Sequence, residues 1–161
     1  MADGGFKLAK IETAASDVKL PDPVANTFKA TFPNGEIFKV DAEEENGVTV
    51  YDLEFKDGTT EKETDITADG IMLEFTVVVR AKDVPAAAMK VVRKAAKGAT
   101  MRRIEHVEIS YETKDGKTIK LAKPVTRYAV ELAKGGQSTE IVVDPDGVVV
   151  EPAKWGATKE E

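Results

Sequence analysis

Apolar positions recur at two periods along this chain, and the same order of elements is read twice. Leu20-Pro21 opens a stretch in which Val24, Phe28 and Phe32 recur at helical spacing, and Pro33-Asn34-Gly35 stops it. Glu36 to Ala42 then reads as a strand containing Ile37 and Phe38, and Glu43 to Gly47 as a charged hairpin turn with an Asn-Gly signal. In Val48 to Phe55, alternation turns Thr49, Tyr51, Leu53 and Phe55 to one face and Val48, Val50, Asp52 and Glu54 to the other. Lys56-Asp57-Gly58 leads into a polar strand, Thr59 to Thr67. Asp69-Gly70 leads into Ile71 to Val79, where Ile71, Leu73, Phe75, Val77 and Val79 share a face opposite Met72.

The order then repeats. Asp83 is the expected N-cap of a helix opened by Val84-Pro85, with Met89, Val92 and Ala96 as its apolar stripe and Gly98 beyond its end. Strands follow over Met101 to Glu112 and Val125 to Ala133, the second with Tyr128, Val130 and Leu132 on one face. Asp144-Pro145-Asp146-Gly147 closes the copy with a turn, since proline presets one turn position and glycine supplies a left-handed one. The helix starts are 64 residues apart and the closing turns 77. The excess is read as a hairpin insertion around Tyr111 to Pro124, with its tip at Lys114-Asp115-Gly116-Lys117. Phe28, Leu53, Phe55, Leu73, Met89, Val92, Val130 and Leu132 are the expected core.

This order predicts an α+β fold of two tandem repeats, each one helix packed on an antiparallel β-meander, the two able to share one curved sheet whose other face is open to solvent. The expected organisation is a leader over 1–19, a first repeat over 20–80, a second over 81–152 with its hairpin insertion, and a polar tail over 153–161.

The pattern resembles the PepSY-like, beta-lactamase-inhibitor-like family. The resemblance rests on Phe32-Pro33-Asn34 at the end of the first helix, Val50-Tyr51-Asp52-Leu53-Glu54-Phe55-Lys56-Asp57-Gly58, and Thr67-Ala68-Asp69-Gly70-Ile71-Met72-Leu73-Glu74. In the second copy it rests on Tyr128-Ala129-Val130-Glu131-Leu132 and Val143-Asp144-Pro145-Asp146-Gly147, while Ala96-Lys97-Gly98-Ala99 departs from the Phe-Pro-Asn signature. It covers roughly residues 20–152. These motifs are turns and core positions, so they speak to fold. The resemblance implies an exported protein of a kind that in some relatives binds or inhibits other proteins, and it implies no catalytic residue.

Composition narrows the chemistry. Hydrophobic residues make up 42% of the 161, enough for a core, and no apolar run reaches the length of a membrane span. The absence of cysteine excludes disulfides, thiolate metal sites and cysteine nucleophiles. The net charge of −6 is uneven: residues 1–80 carry 8 basic against 17 acidic side chains, and residues 81–161 carry 15 against 12. Nucleic acid, which needs a net basic face, is an unlikely partner on that balance.

Each candidate group has a plain reading beside a chemical one. His106, the single histidine, reads as an ordinary strand residue because no second ligand or nucleophile accompanies it. Asp41, Glu43, Glu44 and Glu45 have the oxygens calcium wants but no calcium-loop spacing, and read as a solvated acidic turn. Asp144 and Asp146 read as a turn. Lys90, Arg93, Lys94, Lys97, Arg102 and Arg103 form the densest cationic stretch, open to an acidic partner, an anionic surface or the acidic first half, and read first as solvated positions. Gly4-Gly5 and Gly135-Gly136 lack the context of a phosphate loop. Tyr51 and Tyr128 read as packing residues, and Trp155 either as an anchor for a partner or as folded back on its own domain. The expectation is therefore a non-enzymatic, periplasmic or secreted binding module, inhibitor-like in its sharper form, whose partner is a protein or peptide met by the open sheet face and loops. It has no cofactor, metal or catalytic residue. The alternative is a structural or envelope-associated protein recognising a polymer or surface.

Overall fold

The computed structural model describes residues 19–155. The expected leader, apart from Lys19, and the tail beyond Trp155 lie outside them. In chain order the elements are α1 (Asp22–Thr31), β1 (Gly35–Glu45), β2 (Val48–Asp57), β3 (Thr60–Thr67), β4 (Met72–Val79), a single 3₁₀ turn (Ala81–Asp83), α2 (Ala86–Ala95), β5 (Thr100–Lys114), β6 (Lys117–Lys134), β7 (Gln137–Val143) and β8 (Val149–Glu151).

The expected fold class is corrected by the sheet. All eight strands form one antiparallel sheet in chain order, β1 to β8, with two ten-residue helices among the described residues, rather than two helix-on-meander repeats. The reason lies in β5 and β6, which are 15 and 18 residues long. The residues read as an inserted hairpin continue these two strands without a break and turn at Asp115-Gly116. Among the described residues the chain divides into two compact units, 19–77 with Glu108–Val125 and Val78–Val107 with 126–155, so the outer arms of this hairpin belong to the first.

In the first unit, Pro21 stands at the N-cap of α1 with φ −58° and ψ 145°, an extended conformation its ring favours. Val24, Phe28 and Phe32 fall on one side of the helix and pack on Val40, Leu53, Phe55 and Ile66. The Phe28 and Phe55 rings meet edge-on at 4.8 Å, and Phe32 lies 4.6 Å from Phe55. Gly35 leaves room for this cluster, since a Cβ there would lie 2.7 Å from the Phe28 ring. Two bulges break the alternation read from the sequence. The register shifts between Ile37 and Lys39, which leaves Phe38 44% exposed while Ile37 and Val40 both pack on the core. It shifts again opposite Ile66, so Met72 and Phe75 both reach the α1 cluster although they sit at positions of opposite parity.

Two of the two-residue turns of this unit have both residues left-handed, Asn46-Gly47 at φ 51° and 84° and Asp115-Gly116 at φ 51° and 78°. They dock on each other. The Gly116 N–H donates to the Asn46 carbonyl at 2.8 Å, the Asn46 amide donates to the Thr113 carbonyl and hydroxyl at 3.0 Å, and the Thr113 hydroxyl donates to Glu45 at 2.9 Å.

The second unit has its own core, in which Val84, Ala88, Met89, Val92 and Ala96 pack on Ile104, Tyr128, Val130, Leu132, Ile141 and Val143. Asp83 does not cap α2. It lies in the 3₁₀ turn, accepts the Arg80 N–H at 3.1 Å, and leaves Pro85 as the N-cap. All eight residues expected in the core are buried, Leu53, Phe55, Val92, Val130 and Leu132 completely.

Gly147 closes the second unit against its helix. Its φ is +90°, and a Cβ would lie 2.7 Å from the Ala87 carbonyl oxygen. Gly58 has φ +69° but open space around it. Gly58→Ala is therefore expected to cost about 1–2 kcal/mol from conformation alone, and Gly147→Ala distinctly more, read as denaturant midpoints. Equal losses would show that the approach to α2 contributes nothing.

Candidate functional site

The strand registers collect carboxylates on the face of the first unit's sheet opposite α1. Val40, Leu53 and Ile66 point to the helix, so their neighbours Asp41, Asp52 and Asp65 point away. Asp41 pairs with Asp52, Asp52 with Asp65, and Asp65 with Glu74, a row across four strands. Glu63 lies beside it, and oxygens of Asp52, Glu63 and Asp65 all fall within 4.8 Å of one another.

Such a row is electrostatically costly, and its protonation reflects that. Burial, then the charges of Asp52 and Glu74, a hydrogen bond with Glu74 and the charge of Glu63 push Asp65 up from 3.8 to about 10. Asp65 thus holds its proton at neutral pH. Asp52 Oδ1 is buried without a hydrogen-bond partner. Chemically the cluster suits retention of a proton or of a hard cation, which takes several carboxylate oxygens.

This face is not uniformly open. Asp41 is 2% exposed, and Val50, Thr67 and Thr76 are buried on the same side, which corrects the expectation of a solvent-exposed second face in this unit. It also corrects the reading of Asp41 as part of a solvated turn. Strand β1 runs through it to Glu45, and alternation turns it into the row. Glu44, near the end of β1, is exposed and accepts the Thr49 hydroxyl of its paired residue at 2.7 Å.

The second unit presents a more accessible acidic surface. Glu131 on β6 pairs with Glu140 on β7, and Glu151 on β8 pairs with Val142, all on the face away from α2. With Ser138, Thr139, Val150, Pro152 and Lys154 these glutamates line an open hollow of about 820 Å³. Partial desolvation of its carboxyl, then the charges of Glu105, Glu151 and Glu131, raise the pKa of Glu140. The residue is nonetheless exposed overall, so water screens much of this effect. A smaller, more apolar hollow of about 530 Å³ in the first unit is lined by Leu20, Phe28, Phe32 and Ile37.

The other residues singled out in the sequence fall as follows. His106 is half-buried, its ring 5.1 Å from that of Tyr128. Tyr128 is buried in the second core, and Tyr51 packs on the first. Asp144 Oδ1 accepts the Asp146 and Val148 N–H groups at 2.9 Å, as a turn residue should. Lys90, Arg93, Lys94, Lys97 and Arg102 are exposed, whereas Arg103 donates to Glu105 at 2.7 Å. Trp155 folds back on the second core, with Lys134 Nζ 4.7 Å from its ring. Sequence reasoning missed the Asp41–Asp52–Asp65 row, although its signal was present. The Asn46-Gly47 turn sets Glu45 opposite Val48, and counting back along both strands sets Asp41 opposite Asp52.

No protein-family model matches the chain, and no curated protein is similar to it in sequence. Solved structures are similar in fold. A DUF2874 family protein from Bacteroides uniformis covers 83% of this chain and 88% of its own, with a TM-score of 0.62 and 14% identity. A protein from Bacteroides eggerthii provisionally assigned to the periplasm covers 83% and 88%, with a TM-score of 0.64 and 14% identity. A BLIP-like protein from Bacteroides fragilis covers 89% and 92%, with a TM-score of 0.60 and 13% identity. The chain has the fold of these proteins. Among the described residues no helix is long and apolar enough to cross a membrane.

The Asp65 shift fixes the sign of one pH effect. The folded chain favours protonated Asp65, so that contribution is complete below pH 3.8 and is lost as the pH rises toward about 10. Asp65→Asn keeps a neutral side chain of the same shape. It is expected to gain stability over the parent as the pH is raised from 5 to 9, measured by urea midpoints. Parallel profiles for the two proteins would remove Asp65 from this role.

Proposed function

We propose that this chain is a non-enzymatic, exported binding module. It engages another protein or a peptide through the exposed sheet surface of β6–β8 and the adjoining turns, and inhibition of an exported enzyme is the sharper form of this reading. The observation that carries it is the acidic surface of Glu131, Glu140 and Glu151, held in place by paired strands over a filled core. A rigid, broad, charged surface suits recognition of a macromolecule, because charge complementarity steers encounter and rejects wrong partners. The surrounding hollow is lined mostly by charged and hydroxyl side chains, unlike the apolar pockets that hold small molecules. The likeness in fold to a BLIP-like protein and to one provisionally assigned to the periplasm supports the same reading.

The test is retention of a partner by the immobilised chain from an extract of exported proteins, followed by purification and titration of the retained protein. A stoichiometric complex is expected, with the variant E131K/E140K/E151K folding like the parent and failing to form it. Retention of nothing, or equal complex formation by the variant, would overturn the proposal. Sedimentation with cell-envelope polymer instead of protein would favour the structural alternative.

A further inference from the structure

Strand β8 is the last strand of the sheet order, paired with β7 and with no described strand beyond it. It is also where the described chain is most exposed in its apolar residues. Val148, Val149 and Val150 are 60%, 43% and 42% exposed, three of the five large hydrophobic residues left in water. An edge strand offers backbone N–H and C=O groups to any extended chain that can lie against it. Native sheets blunt such edges with lysine, proline or short length. Here Pro152 and the three-residue span limit the site, but two of its three exposed side chains are valines, beside Glu151.

The charge beside this edge selects the occupant. Glu151 on β8, Glu140 on β7 and Glu131 on β6 run inward from the edge around the hollow, with Lys154 as the one cation among its lining residues. Arg102 reaches Glu131 only at 4.0 Å, with both side chains largely in water, so that pair neutralises little. A second copy of this chain paired edge to edge would bring a second set of glutamates to the same place. A chain with cations at alternate positions would instead place them over the glutamates and its apolar residues on the valines.

We propose that the β8 edge, Val149–Glu151, binds an extended basic segment of a partner protein as an added strand, with lysine or arginine side chains reaching Glu151 and Glu140. This names the partner chemistry of the surface put forward above and rests on that reading. Main-chain pairing supplies general affinity, and the glutamates supply the selection for basic sequence. The raised pKa of Glu140, caused by its desolvation and its acidic neighbours, is relieved when a cation arrives.

The experiment titrates the full chain with an end-capped peptide of alternating lysine and valine. Three controls are run: the same peptide with glutamate for lysine, the same peptide N-methylated at alternate residues, and the protein variant E140Q/E151Q. The lysine–valine peptide is expected to bind saturably and to slow amide exchange at Val149 to Glu151. Its affinity is expected to fall on going from low to half-molar salt, as exposed charges are screened. The glutamine variant should bind it at least about tenfold more weakly, which corresponds to ~1.4 kcal/mol. Equal binding of the glutamate peptide would overturn the charge selection, and equal binding of the N-methylated peptide would overturn the strand pairing. Concentration-dependent dimers protecting the same amides would make a second copy the occupant and reject the proposal. If the peptide fails while the retained partner still binds the parent chain and not its lysine variant, the edge proposal falls and the broader function stands.

Discussion

The constraint on which the rest depends is that most strands are pinned to the next by two-residue turns, so the register of their side chains follows from a few left-handed residues. At Asn46-Gly47 the positive φ values give a two-residue turn, and this sets Glu45 opposite Val48. A slip of one residue would exchange the two faces completely, sending Leu53 and Phe55 to the carboxylate side and Asp52 and Glu54 under α1. The apolar cluster of α1 on β2 and the acidic row behind it are therefore two consequences of one register. The aromatic contacts of Phe28, Phe32 and Phe55 hold the register by making the alternative expensive, at about 1.5–3 kcal/mol for each large side chain left in water.

What could be read from the sequence follows from this. Helices opened by Pro21 and Pro85, the Asn-Gly and Asp-Gly turns and the eight core positions depend on local chemistry, and they appear where local chemistry puts them. The bulges at Phe38 and opposite Ile66 were not legible, because an extra residue changes parity without changing composition. The hairpin of β5 and β6 turns where its sequence puts the tip, but its residues are the outer ends of two long strands in one sheet and not an addition to a separate helix-on-meander repeat. The carboxylate row was legible in principle, since two-residue turns permit counting across strands. What counting could not supply was burial. The 2% exposure of Asp41 and the raised pKa of Asp65 are properties of the packed molecule.

The acidic groups of the two units differ in kind for the same reason. In the first, burial converts repulsion into retention of a proton on Asp65, so the row is held together by partial neutralisation. In the second, Glu140 and Glu151 remain exposed, and repulsion there is relieved by whatever cation approaches. The first arrangement is internal to the protein. The second faces outward on β6–β8, where a partner can reach it.

Net charge by segment conceals this. Residues 81–161 carry an excess of three basic side chains, an average that by itself points to an acidic partner. Folding sorts those charges. Lys90, Arg93, Lys94 and Lys97 stay on the exposed side of α2 or just beyond its end, while Glu131, Glu140 and Glu151 lie on the sheet face turned away from that helix. Arg102 and Arg103 of the same cationic stretch lie instead beside Glu131 and Glu105, and Lys154 stands among the glutamates, so the acidic character concentrates toward Glu140 and Glu151. A basic chain is drawn there within a Debye length of roughly 8–10 Å. There the edge of β8 is the first main chain it meets that still has groups to pair.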